Sequence, residues 1–152
     1  MRGRAFFGSS KLMLPGAVIG AVYGPGFSED LSSWRLVIDD EGNLFQEIDV
    51  WQWTTESVHI QEHRREHVVI GPDAVLQLLL EAQRLEFTSY DDSYDPSITD
   101  QPDRIISVRF GEIDKTVHAY AAFWLAAEGN RDMIGFLELW EAIHRYAPFP
   151  GR

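Results

Sequence analysis

The sequence predicts an α+β domain, an antiparallel sheet of about five strands with two helices packed on one face. Three observations predict it. Residues 34–38 and 44–53 alternate apolar and polar side chains about a Gly-bearing turn, as half-buried hairpin strands do. Residues 71–87 and 130–143 repeat apolar side chains at helical spacing. Their order is strands, helix, strands, helix, which differs from the regular strand–helix alternation of a parallel sheet.

Each element has a local reason. Ala17–Tyr23 alternates small and apolar residues before the loop GPGFSEDLSS, and reads as a first strand. Trp34, Leu36 and Ile38 alternate with Arg35 and Val37 in the next. The turn Asp39–Asn43 has Gly42 or Asn43 to supply a positive φ. The returning strand LFQEIDVWQW sets Leu44, Ile48 and Val50 on one face, and Phe45, Glu47, Asp49, Trp51 and Trp53 on the other. Val58 and Ile60 alternate with His59 and Gln61, and Val68-Val69-Ile70 is β-branched, so a further strand is expected there.

The clearest helix is GPDAVLQLLLEAQRLEF. Pro72 suits its first position, Asp73 complements its dipole, and Val75, Leu78, Leu79, Ala82 and Leu85 form one stripe. TSYDDSYDPSITDQPD is polar and Pro-bearing, hence a long loop. RIISVRF, the turn GEID and KTVHAY make a second hairpin, and AAFWLAAEGN is a connection. Asn130 then caps a last helix carrying Met133, Phe136, Leu137, Trp140 and Ile143 at helical spacing. The chain divides into an N-terminal segment, 1–18, able to pack on the domain, and a single domain over 19–152.

Composition narrows the function. With 45% apolar and 12% aromatic residues in 152, the chain has material for one folded core. It has no cysteine, which excludes disulfides, thiol catalysis and thiolate metal sites. Its 24 acidic and 13 basic residues give a net charge of -11. Residues 1–28 hold Arg2, Arg4 and Lys11 with no acid, so the remainder carries -14. Such a field disfavours nucleic acid and anionic membrane surfaces and favours a basic protein partner. No run approaches a membrane span. Basic residues followed by an apolar run at the N-terminus resemble a signal peptide, but Pro15, Gly16 and Gly20 interrupt the run. The cytoplasm is the expected location, with export as the alternative.

One string suggests chemistry. His63-Arg64-Arg65-Glu66-His67 is H-x-x-E-H, the zinc signature of the inverted zincin peptidases. That chemistry needs a helix, where residues four apart can share one ion. Residues 61–67 hold no apolar residue, so a helix there has no stripe to bury, and the flanking pattern is that of a strand. On a strand the two imidazoles stand about 13 Å apart, too far for one zinc. His63, Glu66 and His67 therefore remain the weaker alternative, a metal-dependent hydrolase, and no metal or cofactor is expected. Asp91, Ser93 and Asp95 imitate a calcium loop, but Pro96 stands where glycine is needed and Pro102 where glutamate is. Nucleophile-elbow, phosphate-loop and dinucleotide glycine patterns are missing.

Three segments resemble a bacterial family of small α+β domains catalogued only as a domain of unknown function. They are VYGPGFSEDLSSWRLVIDDEGNL, VVIGPDAVLQLLLEAQRLEF, and YDDSYDPSITDQPDRIISVRF with its hairpin and closing helix. The matching motifs are Asp40-Glu41-Gly42, Glu86-Phe87, and Tyr94 with Thr99-Asp100-Gln101-Pro102, over about residues 19–146. The resemblance implies the fold order above and a strand before the helix, and it carries no activity or catalytic residue.

The expected function is a non-catalytic protein-binding domain, concretely an acidic inhibitor or immunity-type protein that neutralises a basic toxin or enzyme. If the helices cover one sheet face, the other presents Phe45, Trp51 and Trp53 interleaved with Glu47 and Asp49, helped by the loop acids Asp91, Asp92 and Asp95. The N-terminal segment folding back over these aromatics is the competing expectation. A self-associating structural domain, a homo-oligomer, is the third reading.

Overall fold

A hairpin turn sets the register from which the sheet is built. Gly42 adopts φ 85°, which closes the turn between β2 (Ser32–Ile38) and β3 (Asn43–Trp53). The Asp39 carboxylate accepts the N–H groups of Glu41 and Asn43 at 3.0 and 2.9 Å, the local side-chain bonding that favours Asp in turns. The computed structural model describes residues 16, 18–26, 32–53 and 58–149, except the side chains of residues 52, 53 and 58–61. The segment 1–15, and with it the question of whether it covers the aromatics, lies outside the described residues.

β1 (Val18–Gly24), β2, β3 and β4 (Val58–Val69) form an antiparallel meander. β6 (Asp103–Phe110) pairs with the free side of β1 and turns into β7 (Ile113–Tyr120). β5 (Ser93–Tyr94) lies parallel to β7 at the far edge. Among the described residues the sheet is seven-stranded, in the order β4-β3-β2-β1-β6-β7-β5.

The helices are α1 (Pro72–Arg84), α2 (Ala122–Ala127) and α3 (Arg131–His144). Val75, Leu78, Leu79 and Ala82 of α1 join Met133, Phe136, Leu139, Trp140 and Ile143 of α3 in one core with Ile19, Leu36, Ile38, Leu44, Ile48, Ile106 and Val117 of the sheet. Each such aliphatic or aromatic side chain contributes about 1.5–3 kcal/mol on burial. The Asn130 side chain accepts the Met133 N–H at 3.0 Å, the cap expected for α3. α1 has no side-chain cap; its start is fixed by the hairpin, because Gly42 O accepts Ile70 N–H at 2.7 Å. A Cβ at Gly42 would run into the Gly71 backbone, so the turn and the helix start touch as two glycines, both at positive φ. At the other side of the core Trp34 stacks on Trp140 and His144 at 5.2 and 5.4 Å. The Arg104 guanidinium, 4% exposed, lies over Tyr23, Phe123 and Trp140 at 4.8–5.5 Å, a cation–π arrangement.

The α+β class holds, and four details of the expectation are corrected. The sheet has seven strands where about five were expected, and β5 makes it mixed, not antiparallel. β5 is two residues inside an acidic loop, too short for alternation to show. Three helices, not two, are present among the described residues, since AFWLAA forms the six-residue α2. It starts from Ala121 at φ 60°, a left-handed residue that nothing in the sequence announces. The first helix also ends at Arg84, short of Phe87: Glu86 turns left-handed at φ 57° and Phe87 opens a separate 3-10 turn, Phe87–Ser89. Among the described residues no helix is long and apolar enough to cross a membrane.

Candidate protein-binding face

Because the helices share one side of the sheet, strand alternation leaves the other side uncovered among the described residues. Phe45, Glu47, Asp49 and Trp51 all point to that side, while Leu44, Gln46 and Ile48 are buried. The division matches the alternation read from the sequence. The register then arranges the face in rows across β2, β3 and β4.

The first row is Val37–Phe45–His67. Phe45 and Val37 are 51% and 46% exposed, and the Phe45 ring stacks on His67 at 4.5 Å with an angle of 7°. His67 Nε2 is held 3.3 Å from Asn43 Oδ1. The second row is Arg35–Glu47–Arg65. Arg35 Nη2 lies 2.6 Å from Glu47 Oε1 and Arg65 Nε 3.2 Å from Oε2. The hydrogen bond and charge of Arg35, seconded by Arg65 and His63, hold the Glu47 carboxyl below the usual glutamate range. The third row is Ser33–Asp49–His63, with His63 Nδ1 2.5 Å from Asp49 Oδ1. Trp51 Nε1 donates to Ser33 Oγ at 3.3 Å, so its ring lies tethered over β2. Val22 of β1, 40% exposed, extends the apolar strip beyond Arg35.

This arrangement revises what the acids do. Glu47 and Asp49 were expected to read basic groups on a partner, but both are engaged within the face by Arg35, Arg65 and His63. The face therefore offers apolar surface framed by polar side chains already paired with one another. Arg35 and Val37 were missed as members of it. The signal was present: a turn at 39–43 places residue 35 opposite 47 and 37 opposite 45.

The structure divides the remaining candidates. Asp91, Asp92 and Asp95 sit by β5 and β7, five strand positions from β3, which is roughly 24 Å at about 4.8 Å per strand. There Asp92 Oδ1 pairs with Lys115 Nζ at 2.9 Å, and Asp95 Oδ1 accepts Ser97 N–H at 2.8 Å. They belong to another surface. The side chain of Trp53 lies outside the described residues. His63 and His67 both point to the bare face from β4, while Glu66, opposite the buried Gln46, points to the helical side. H-x-x-E-H thus runs along a strand, and the structure does not bring its three side chains together. Among the described residues no three His, Cys, Asp or Glu side chains form a metal-donor cluster.

A charged groove on the helical side carries three glutamates and Arg145. This groove, of about 640 Å³ between α1 and α3, has Leu78, Ile134 and Leu137 in its lining, with Glu81, Glu138 and Glu141 beside them. Arg84 bridges Glu81 and Glu138 at 2.7 and 2.9 Å, so two of the three acids are partly neutralised.

No protein-family model matches the chain, and no curated protein matches it significantly. The resemblance to a family of small α+β domains rests on its motifs alone.

Proposed function

We propose that the chain is a non-catalytic binding domain that presents its bare sheet face to a protein partner. The supporting observation is the exposed strip Val22, Val37 and Phe45, flanked by side chains already locked in cross-strand pairs. Ordered aromatic and aliphatic groups lose little entropy on docking, and a ring fixed by stacking is a pre-organised anchor. The net charge of -11 supports a basic partner, drawn in by the field of the whole molecule while the face supplies contact. On that reading the domain is an acidic inhibitor or immunity-type protein that masks a basic toxin or enzyme.

The test is capture of the partner from the native host, followed by kinetics on the purified pair. Phe45→Ala should raise the off-rate and cost about 2 kcal/mol of affinity while leaving the melting temperature unchanged. Asp92→Asn should mainly slow association, and the effect should fade as salt is added. A partner that binds Phe45→Ala as tightly as the native chain would remove the bare face from the proposal. Self-association is the second reading, favoured by the outer edge of β4, which meets no strand among the described residues.

A further inference from the structure

β4 ends the strand order, and its outer side meets no other strand among the described residues. Two hydrogen bonds show which backbone groups are left over. Ile70 N–H donates to Gly42 O, so 42 and 70 form a bonded pair, and bonding alternates along an antiparallel ladder. The even residues of β4 from Glu62 to Val68 therefore turn their backbone groups toward β3. His63, Arg65, His67 and Val69 turn theirs outward. The β2–β3 turn agrees, since Asp39 N–H donates to Asn43 O, which commits the odd residues of β3 to β2 and leaves the even ones for β4. The outer edge is a template for one more strand.

The side chains select which strand. Arg64 and Glu66 both point to the helical side of β4. Arg64 Nε is buried without a hydrogen-bond partner among the described residues, its ion-pair contact with Glu62 is a long 3.9 Å, and its guanidinium rests 4.9 Å over Phe149. Glu66, half-buried, has no ion pair or side-chain hydrogen bond among the described residues. A weakly paired cation and an anion with no ion pair thus stand two residues apart on an edge that meets no strand among the described residues.

A second copy of β4, antiparallel and related by a two-fold axis at Arg65, satisfies both. Arg64 then faces Glu66 of the other copy, twice by symmetry, and His63 faces His67. Arg65 faces itself, but each Arg65 already has Glu47 at 3.2 Å. Neighbouring registers fare worse, on charge or on strand geometry. An axis at Arg64 opposes arginine to arginine and Glu62 to Glu66, an axis at Glu66 opposes glutamate to glutamate, and an axis at His63 draws in the bulge opposite Val50 and Trp51. Glu62 is exposed on the helical side, so among the described residues the helix layer leaves this part of the edge uncovered. We infer that two copies of this chain join their β4 edges antiparallel about Arg65, making one continuous sheet through about six new backbone hydrogen bonds.

The experiment is sedimentation equilibrium of the full chain from about 1 to 100 μM. The native chain is expected to dimerise, Arg64→Glu or Glu66→Arg alone to raise the dimer Kd at least about tenfold, and the double charge swap to restore it. A geometric check uses the absence of cysteine. Arg65→Cys, at a 77% exposed side chain, should give a disulfide-linked dimer on oxidation, because a bonded antiparallel pair sets its Cα atoms about 5.5 Å apart. Val37→Cys, in the middle of the face, should not. A native chain that stays monomeric throughout would overturn the inference. So would a folded double swap that fails to dimerise, or Arg65→Cys that links no faster than Val37→Cys.

Discussion

Asp49 and His63 meet at 2.5 Å across the β3–β4 ladder, and the other ring nitrogen of His63 lies 3.9 Å from Glu47. One imidazole thereby stands between two carboxylates that are next-but-one neighbours on β3. The same Glu47 is gripped from β2 by Arg35. Charges that would repel along one strand are held in place from both flanking strands.

The Glu47–Arg35 pair sets a pH dependence. Glu47 has its folded-state pKa lowered, chiefly by Arg35. Its contribution to stability is therefore present above the unfolded-state pKa and is lost as pH falls through the lowered folded value. Carboxyl-carbon NMR should find Glu47 titrating below the ordinary glutamate value, and Arg35→Gln should move it upward. The stability change will be small because the pair is exposed.

Alkali acts on a different pair. Burial pushes Tyr90 up to about 12, and burial with the Asp132 hydrogen bond pushes Tyr94 higher still. A raised folded pKa gives stability that is present below tyrosine's ordinary value and lost as pH climbs through the folded value. Absorbance near the tyrosinate band should show Tyr90 and Tyr94 ionising late, together with unfolding. Tyr94 takes Asp91 N–H and donates to Asp132, both at 2.8 Å, so Tyr94→Phe should cost about 1–2 kcal/mol in a denaturant melt.

Gly135 offers a coupled test. A Cβ there would collide with the Tyr90 hydroxyl, which itself donates to Leu85 O at 3.0 Å. Gly135→Ala should therefore destabilise α3 by about 1–3 kcal/mol, although alanine is the better helix former. In a Tyr90→Phe background the obstructing atom is gone and the next contact is an ordinary 3.4 Å. There the same substitution should be neutral or stabilising by up to about 1 kcal/mol. Equal effects in both backgrounds would disprove the contact.

Leu79 is 3% exposed in the middle of α1. Leu79→Ala should cost about 2–5 kcal/mol, and Gln77→Ala, on the exposed side of the same helix, under about 0.5 kcal/mol. Chemical melts that failed to separate the two would mean that the helix register is wrong.

The parts of the fold that were legible in the sequence are those with periodic burial. The β2–β3 hairpin, the face assignment of Phe45 and Ile48, the strand through His63 and the cap at Asn130 all follow from alternation or capping chemistry. β5 and α2 stayed hidden because two and six residues are too few to carry a period. The site was half legible. Alternation put Phe45, Glu47, Asp49 and Trp51 on one face, but not what their charges are spent on. That depends on Arg35 and Arg65 arriving from neighbouring strands. The loop acids Asp91, Asp92 and Asp95 were joined to that face by net charge alone, and charge counts carry no distances.

The unequal ends of the sheet limit how large an assembly can grow. At β5 the terminal strand is two residues long, Asp92 O already takes His118 N–H at 2.8 Å, and Lys115 is clasped to Asp92. Chain growth by strand addition requires an acceptor at both ends, and here one end is blunted. A pairing that consumes β4 on both molecules leaves no long acceptor among the described residues, so association terminates at two instead of propagating into a fibre. Truncating the loop at residues 91–97 would remove that stop, and filament formation in such a variant would show that it acts as one.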